Sequence, residues 1–527
     1  MSDPVRALSS SGRRIALATP HWAASRAGLA ASEAGGNAVD AALAAAITLA
    51  VVYPDMCGVG GDLFALVREP EGRTIAINAS GAAPAGIEVE TLRAARPTMP
   101  ERGPATITVP GAVSGWDALV PWSNLGWAHA FEHAIAWARD GVPVASSLFE
   151  SIAWEPHELF ADPGIRQVFA PEGVPLGEGD ILVQPALART LASLAAEGRS
   201  ALYGGDVGAR LVEGIRELGS AMSLQDLARH EVELDSPITA RYRGLDVSVV
   251  PPTSQGFAML QLLAVIERLG IDPDPFGPDI ELLAEAIRAT GGERDRHNAD
   301  PRVAKVPVAD LLEDGRLAAL CDRVRAHDTD APTSALRGDT IALVTADGDG
   351  RAVSLIQSLA SGFGSRILEP STGIVCHNRG SAFSLDLESP NVLAGGKRPA
   401  HTLMPVLVQR DGRLAAVAGS MGGGAQPQIN ACNLIRAFDL ALNPARTLDA
   451  PRYLVGGMDF PVADRFVELE PGVPEHVRSA LIRDGYRLVE LRERDGYAGH
   501  AHLIVSDADG NLHVATDPRA DGEALAV

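Results

Sequence analysis

A serine among glycines, a lysine behind paired glycines and a His-Glu pair are the groups in this chain that most invite a catalytic reading. In Gly111-Ala112-Val113-Ser114-Gly115 the serine stands one place too late for a G-x-S-x-G elbow, whose sharp turn exposes the middle residue. Gly395-Gly396-Lys397-Arg398 lacks the leading glycine and the hydroxyl residue that a phosphate-cradling loop needs. His230-Glu231 has no second histidine one helical turn on, which removes a zinc protease. Asp347-Gly348-Asp349-Gly350 and Asp507-Ala508-Asp509-Gly510 look like fragments of calcium loops without the full ligand spacing. Asp-Gly is hairpin-turn chemistry, and hairpin turns are expected there. Cys57, Cys321, Cys376 and Cys432 are far apart and form no C-x-x-C, so reduced structural thiols are expected rather than a disulfide framework or a zinc site.

The elements that would position any site must come from 527 residues carrying 45 Lys+Arg against 67 Asp+Glu, a net charge of −22. That balance argues against a nucleic-acid partner, which requires basic surface to displace counterions from phosphate. A hydrophobic fraction of 46% with 21% charged residues supplies a large core and excludes disorder. Length alone suggests about three domains of roughly 150 residues. Met1 to Arg14 lacks the apolar stretch of a secretory signal, and Ala38 to Val52 is too short to span a membrane and contains Asp40. A cytoplasmic protein with no membrane partner is expected.

From Ile15, IALATP reads as a strand, followed by an Ala-rich helix stopped at Gly35-Gly36. Asn37 is placed to cap the next helix, which Pro54-Asp55 ends. The glycine loop Cys57 to Asp62 leads into two β-rich runs, LFALV and TIAIN, joined by a turn at Glu69 to Gly72. Between about Thr106 and Asp330 the pattern is mostly helical, as in Phe257 to Leu269. Hairpins then recur around Asp347 to Gly350, Asp411-Gly412 and Asp509-Gly510. Hairpins with long helices imply an α+β or layered body rather than a parallel βαβ sheet, and no linker divides the chain.

Three segments carry a resemblance: Ala27 to Leu66 (AGLAASEAGGNAVDAALAAAITLAVVYPDMCGVGGDLFAL), Gly338 to Phe383 and Gly396 to Gly424. Glu293 to Val308 and APRY at Ala450 to Tyr453 add to it, in order and spacing from about residue 15 to 520. Together they resemble the gamma-glutamyltransferase family of N-terminal nucleophile hydrolases, most closely its branch of oxamate amidohydrolases and gamma-glutamyltransferase-like proteins. The resemblance implies a four-layer αββα sandwich and a precursor that cuts itself before Thr340. The products would be residues 1–339 and 340–527, a large and a small subunit forming one structural unit. Thr340 would then be the nucleophile, its freed α-amine acting as base, since a hydroxyl alone is weak. Ser358 would support it, and the backbone N–H groups of Gly422 and Gly423 would hold the oxyanion. No cofactor and no metal are implied. The expected partners are a small amide substrate and the two subunits, with further pairing left open.

Several positions depart from that family's pattern. Ser80 stands where the glutamyl-binding arginine is found, Ala360 replaces an asparagine, and Ala382 replaces the aspartate that receives the substrate's ammonium. His401-Thr402 replace a serine pair. Arg379 is the residue able to supply a cation nearby, since guanidinium grips carboxylate with paired hydrogen bonds. With His401 and Thr402 it forms the expected substrate site, for an amide bearing a carboxylate but no α-ammonium. An alanine at Arg379 is expected to weaken substrate capture and spare self-cleavage. The alternatives are action on glutathione-like γ-glutamyl substrates, carbon–carbon bond cleavage, and an unprocessed non-catalytic relative.

Overall fold

Asn37 shows how local sequence sets the first layer. In the computed structural model, which describes residues 6–329, 338–456 and 465–527, its side chain accepts from the Val39 N–H at 2.7 Å. Asp40 returns the bond from the Asn37 N–H at 2.8 Å. This reciprocal cap satisfies two donors that a helix start leaves open. The helix it begins, Ala38–Val52, is buried at every residue, as a helix apolar on all sides must be.

That helix covers one of two seven-stranded antiparallel sheets. The first sheet runs, in spatial order, Glu523–Ala526, Ile15–Thr19, Asp339–Asp347, Ala352–Ala360, Asp62–Arg68, Thr74–Asn78 and Glu233–Asp235. The second runs Ser9–Gly12, Leu512–Thr516, Ala501–Ser506, Arg413–Ser420, Val406–Arg410, Leu245–Val249 and Ile238–Tyr242. Side chains alternate across a strand, so Asp339–Asp347 sends Ala342, Val344 and Ala346 into the core between the sheets. Ile341 and Leu343 face the helix layer of Ala38–Val52. Helices Gly256–Leu269, Ile280–His297 and Gln426–Phe438 cover the outer face of the second sheet through Val247, Val408, Ala416 and Leu503. Helix, sheet, sheet, helix is the expected αββα sandwich.

Each sheet takes strands from both sides of Thr340, so the division into about three domains suggested by length does not hold. The hairpins form where the Asp-Gly turns place them, and at Asp411-Gly412 both residues take the positive φ, 51° and 76°, of a tight two-residue turn. Within the stretch that patterns as helical, Glu233–Asp235, Ile238–Tyr242 and Leu245–Val249 are strands. The first two lie on sheet edges, where one side of the ladder is open and the apolar signal is weak. All four cysteines are unpaired.

Candidate functional site

Thr340 is the second residue of its strand and fully buried. The register with Ala352–Ala360 shifts beside it, so Asp339 faces Ala360 while Ile341 faces Gln357. Ser358 and Leu359 therefore both oppose Thr340, a bulge of the kind that re-aims side chains. The Thr340 hydroxyl donates to Ser358 Oγ at 3.1 Å. Ser358 in turn donates to the carbonyl oxygen of Asp339 at 2.7 Å and accepts from the Ala360 N–H at 2.8 Å.

Gly422 and Gly423 end the strand Arg413–Ser420 and turn the chain into helix Gln426–Phe438, with φ of 149° and 48°. The first of these values is one that side chains other than glycine's rarely allow. A Cβ built on Gly338 would lie 2.5 Å from Gly423 Cα and 3.0 Å from its nitrogen, so the chain just before Thr340 rests on this glycine pair. Two residues outside the sequence expectations lock the turn. Gln255 Nε2 donates to the carbonyls of Thr402 and Gly423 at 2.7 and 2.8 Å. Arg294 donates to Gln255 Oε1 at 3.1 Å and to the Gly424 carbonyl at 2.8 Å.

Arg379 opens the short turn Arg379–Ala382 and is 2% exposed. Its Nη2 donates to Ser358 Oγ at 3.2 Å and its Nη1 to Thr402 Oγ1 at 3.3 Å. Nε has no partner, and among the described residues no carboxylate is ion-paired with this guanidinium. Burial pushes its pKa down to about 10, with Asp62 pulling the other way, so the group is charged at neutral pH.

Asp62, at the head of strand Asp62–Arg68, is a carboxylate within electrostatic reach, and its oxygens are taken. His401 Nδ1 accepts from the Leu403 N–H at 3.3 Å, so its Nε2 carries the proton and donates to Asp62 Oδ2 at 3.1 Å. His377 Nδ1 lies 3.5 Å from the same oxygen, and the Gly81 N–H donates to Oδ1 at 3.0 Å. Burial alone would raise the Asp62 pKa, but His377 and the hydrogen bond from His401 outweigh it and hold the carboxyl far below its ordinary value. His401 is itself driven down to about 3, by burial first and then by Arg379, and is neutral.

Thr340, Ser358, Gly422, Gly423, Arg379 and Thr402 thus converge, and His401 adjoins them through Asp62. Ser80 lies on Asn78, donating to its Oδ1 at 2.6 Å, and brings no cation. Asp62, His377, Gln255 and Arg294 were missed. Asp62 ends the glycine loop, and Arg294 and His377 lie in the family-like segments Glu293 to Val308 and Gly338 to Phe383, whereas Gln255 has no signal in the local sequence. Ser114, fully buried, bonds to the Gly111 carbonyl at 2.6 Å and to His230 Nε2 at 2.8 Å, a structural pairing. Lys397 Nζ is held by the carbonyls of Pro390 and Val392. Among the described residues, Glu285, His327 and Asp484 bring three metal-type ligand atoms together. Arg465, 2.7 Å from Glu285, already supplies the countercharge there.

The αββα body with a threonine at a strand start beside a glycine turn defines an N-terminal nucleophile hydrolase. Within that class, the family model described as gamma-glutamyltranspeptidase matches residues 24–527, and the chain belongs to that family. It is 37% identical over 519 residues to the oxamate amidohydrolase proenzyme of Klebsiella pneumoniae subsp. pneumoniae, covering 96% of this chain and 97% of that one. It is 33% identical over 521 residues to the glutathione hydrolase-like YwrD proenzyme of Bacillus subtilis (strain 168), covering 98% and 99%. The crystal structure of cephalosporin acylase from Bacillus halodurans matches 100% of this chain and 98% of its own with a TM-score of 0.90 and 31% identity. Among the described residues, no helix is long and apolar enough to cross a membrane.

Proposed function

We propose that this protein is a self-processing amide hydrolase for small substrates in which a carboxylate lies close to the scissile carbonyl, as in oxamate. The precursor is cut before Thr340, giving residues 1–339 and 340–527. Thr340 Oγ1 then attacks the substrate carbonyl while its new α-amine takes the proton, near-neutral amines being suited to that task. The Gly422 and Gly423 N–H groups hold the oxyanion, and water releases the acyl group from Thr340. Hydrolysis is favoured over transfer to an amine, and the cytoplasm is the proposed location.

The observation that carries this reading is Arg379, a buried cation with an unpartnered Nε and, among the described residues, no carboxylate paired to it. Buried charges are ordinarily matched, and a substrate carboxylate is the complement. A single hydroxyl, that of Ser358, separates the guanidinium from Thr340 Oγ1, with steps of 3.2 and 3.1 Å. Anchor and nucleophile this close favour a short acyl group. His401 and Thr402 act on the anchor, Thr402 by contact and His401 by holding Asp62. Ala382 leaves an α-ammonium without its acid, which tells against γ-glutamyl substrates. The test is turnover by the matured protein of oxamate against a γ-glutamyl amide. Preference for oxamate is expected, and preference for the γ-glutamyl amide would overturn the substrate assignment.

A further inference from the structure

We propose that Ser358 and Arg379 also carry out maturation, Ser358 relaying the proton of Thr340 to the carbonyl oxygen of Asp339 and Arg379 polarising Ser358 for that task. The proposal rests on the reading of Thr340 as the residue freed by self-cleavage.

Before cleavage the Thr340 nitrogen is a peptide amide, so the amine that serves the mature enzyme does not yet exist. Another group must take the hydroxyl proton. The Thr340 hydroxyl is donated to Ser358 Oγ at 3.1 Å, and Ser358 donates its own proton to the Asp339 carbonyl oxygen at 2.7 Å. That oxygen acquires negative charge when Thr340 attacks. Gly338 is packed against Gly423, so the chain itself covers the glycine pair on the side it approaches.

The step balances as follows. Thr340 Oγ1 bonds to the Asp339 carbonyl carbon, its proton passes to Ser358 Oγ, and the Ser358 proton passes to the former carbonyl oxygen. The proton on that oxygen then moves to the Thr340 nitrogen as the C–N bond breaks and the C=O re-forms, leaving an ester between Asp339 and Thr340 Oγ1. Water hydrolyses the ester to the Asp339 carboxylic acid, which ionises by giving its proton to solvent, the Thr340 hydroxyl and the free α-amine. No oxidant or cofactor enters.

Arg379 belongs to this step through its Nη2 bond to Ser358 at 3.2 Å. Donation from a cation makes the accepting hydroxyl a stronger donor in its turn, and the effect is larger in a buried site. Arg379 touches neither Thr340 Oγ1 nor the Asp339 carbonyl and acts only through Ser358, so it is a positioning residue here. This contact revises the expectation that its loss spares self-cleavage.

The experiment follows cleavage of newly synthesised chains by intact mass and N-terminal sequencing. Ser358→Thr and Ser358→Val have matched shapes and differ in the hydroxyl. The threonine variant is expected to cleave at close to the wild-type rate and the valine variant about 10²- to 10³-fold more slowly, the usual loss for one oxyanion donor. Arg379→Met is expected to slow cleavage about tenfold or more, with part of the rate restored by Arg379→Lys or by added guanidinium, which a packing role would not respond to. Thermal melting beside the Thr340→Ala precursor checks that each variant is folded. Wild-type cleavage with an equally fast Ser358→Val would overturn the relay, and an Arg379→Met variant as fast as wild type would remove Arg379 from it. A wild-type chain that stays uncut would instead overturn the proposed function itself.

Discussion

Replacing Arg379 by methionine keeps the buried volume and removes the charge, and its effect on turnover follows from where that charge sits. The guanidinium is 2% exposed, so an ion pair with a substrate carboxylate would be little screened by solvent or salt. Truncating one partner of a buried, hydrogen-bonded charge pair costs about 2–5 kcal/mol, and about 1.4 kcal/mol is a tenfold change. The kcat/KM for oxamate should therefore fall about 30- to 4,000-fold, with most of the change in KM. The control is oxamide, in which a neutral amide replaces the carboxylate. It gains nothing from the cation, so its turnover should change far less and the preference between the two substrates should collapse. Rates must be taken per cleaved molecule, counted by mass, because maturation is also expected to slow. Equal losses on both substrates, or an unchanged KM for oxamate, would refute the assignment of Arg379 as the carboxylate anchor.

Gly338→Ala places a Cβ against the Gly423 backbone, which has no flexible end to give way. Self-cleavage followed by mass should slow severalfold, and a rate equal to the wild type's would contradict the close packing of Gly338 on the glycine pair. Gly422→Ala forces a side chain into a φ of 149° and should lower kcat by about tenfold or more by tilting the oxyanion N–H groups, measured as steady-state turnover. Acid should unfold the protein steeply. His21, His230, His401 and His502 are held down to about 3 and His500 to about 4, each chiefly by burial. The unfolded chain binds their protons near 6.5 and the native state does not, so stability is full above that pH and is lost as pH falls. Asp55, raised to about 7 mainly by burial, keeps a native proton through this window and offsets one of the five. The other raised carboxyls act only near the bottom of this window, so the histidines dominate and stability should fall steeply between about pH 6 and 4. Urea midpoints of the Thr340→Ala precursor from pH 7.5 to 4.5 measure this, and a flat profile down to pH 5 would contradict it.

Features fixed by near neighbours were legible in the sequence. Asn37 capped the helix it was expected to cap, and the Asp-Gly pairs turned the hairpins, because both depend on side chains within a few residues. Thr340, Ser358 and the Gly422-Gly423 turn were found through resemblance and do converge. What stayed hidden depends on distant pairing. Asp62 and His401 meet across 339 residues, and no local pattern announces a carboxylate held by two histidines. Arg294 reaches the glycine turn from helix Ile280–His297, bonding to Gln255 and Gly424, contacts that no local pattern specifies. The edge strands near residue 240 were lost for a related reason, since an edge needs fewer apolar side chains to persist.

Intact mass and N-terminal sequence of the purified protein, wild type beside Thr340→Ala, bear most directly on the whole account. Two chains in the wild type alone, residues 1–339 and a second beginning Thr-Ile-Ala-Leu at Thr340, are the expected result. A wild type that remains one uncut chain of 527 residues, or one cut at any other bond, would contradict it.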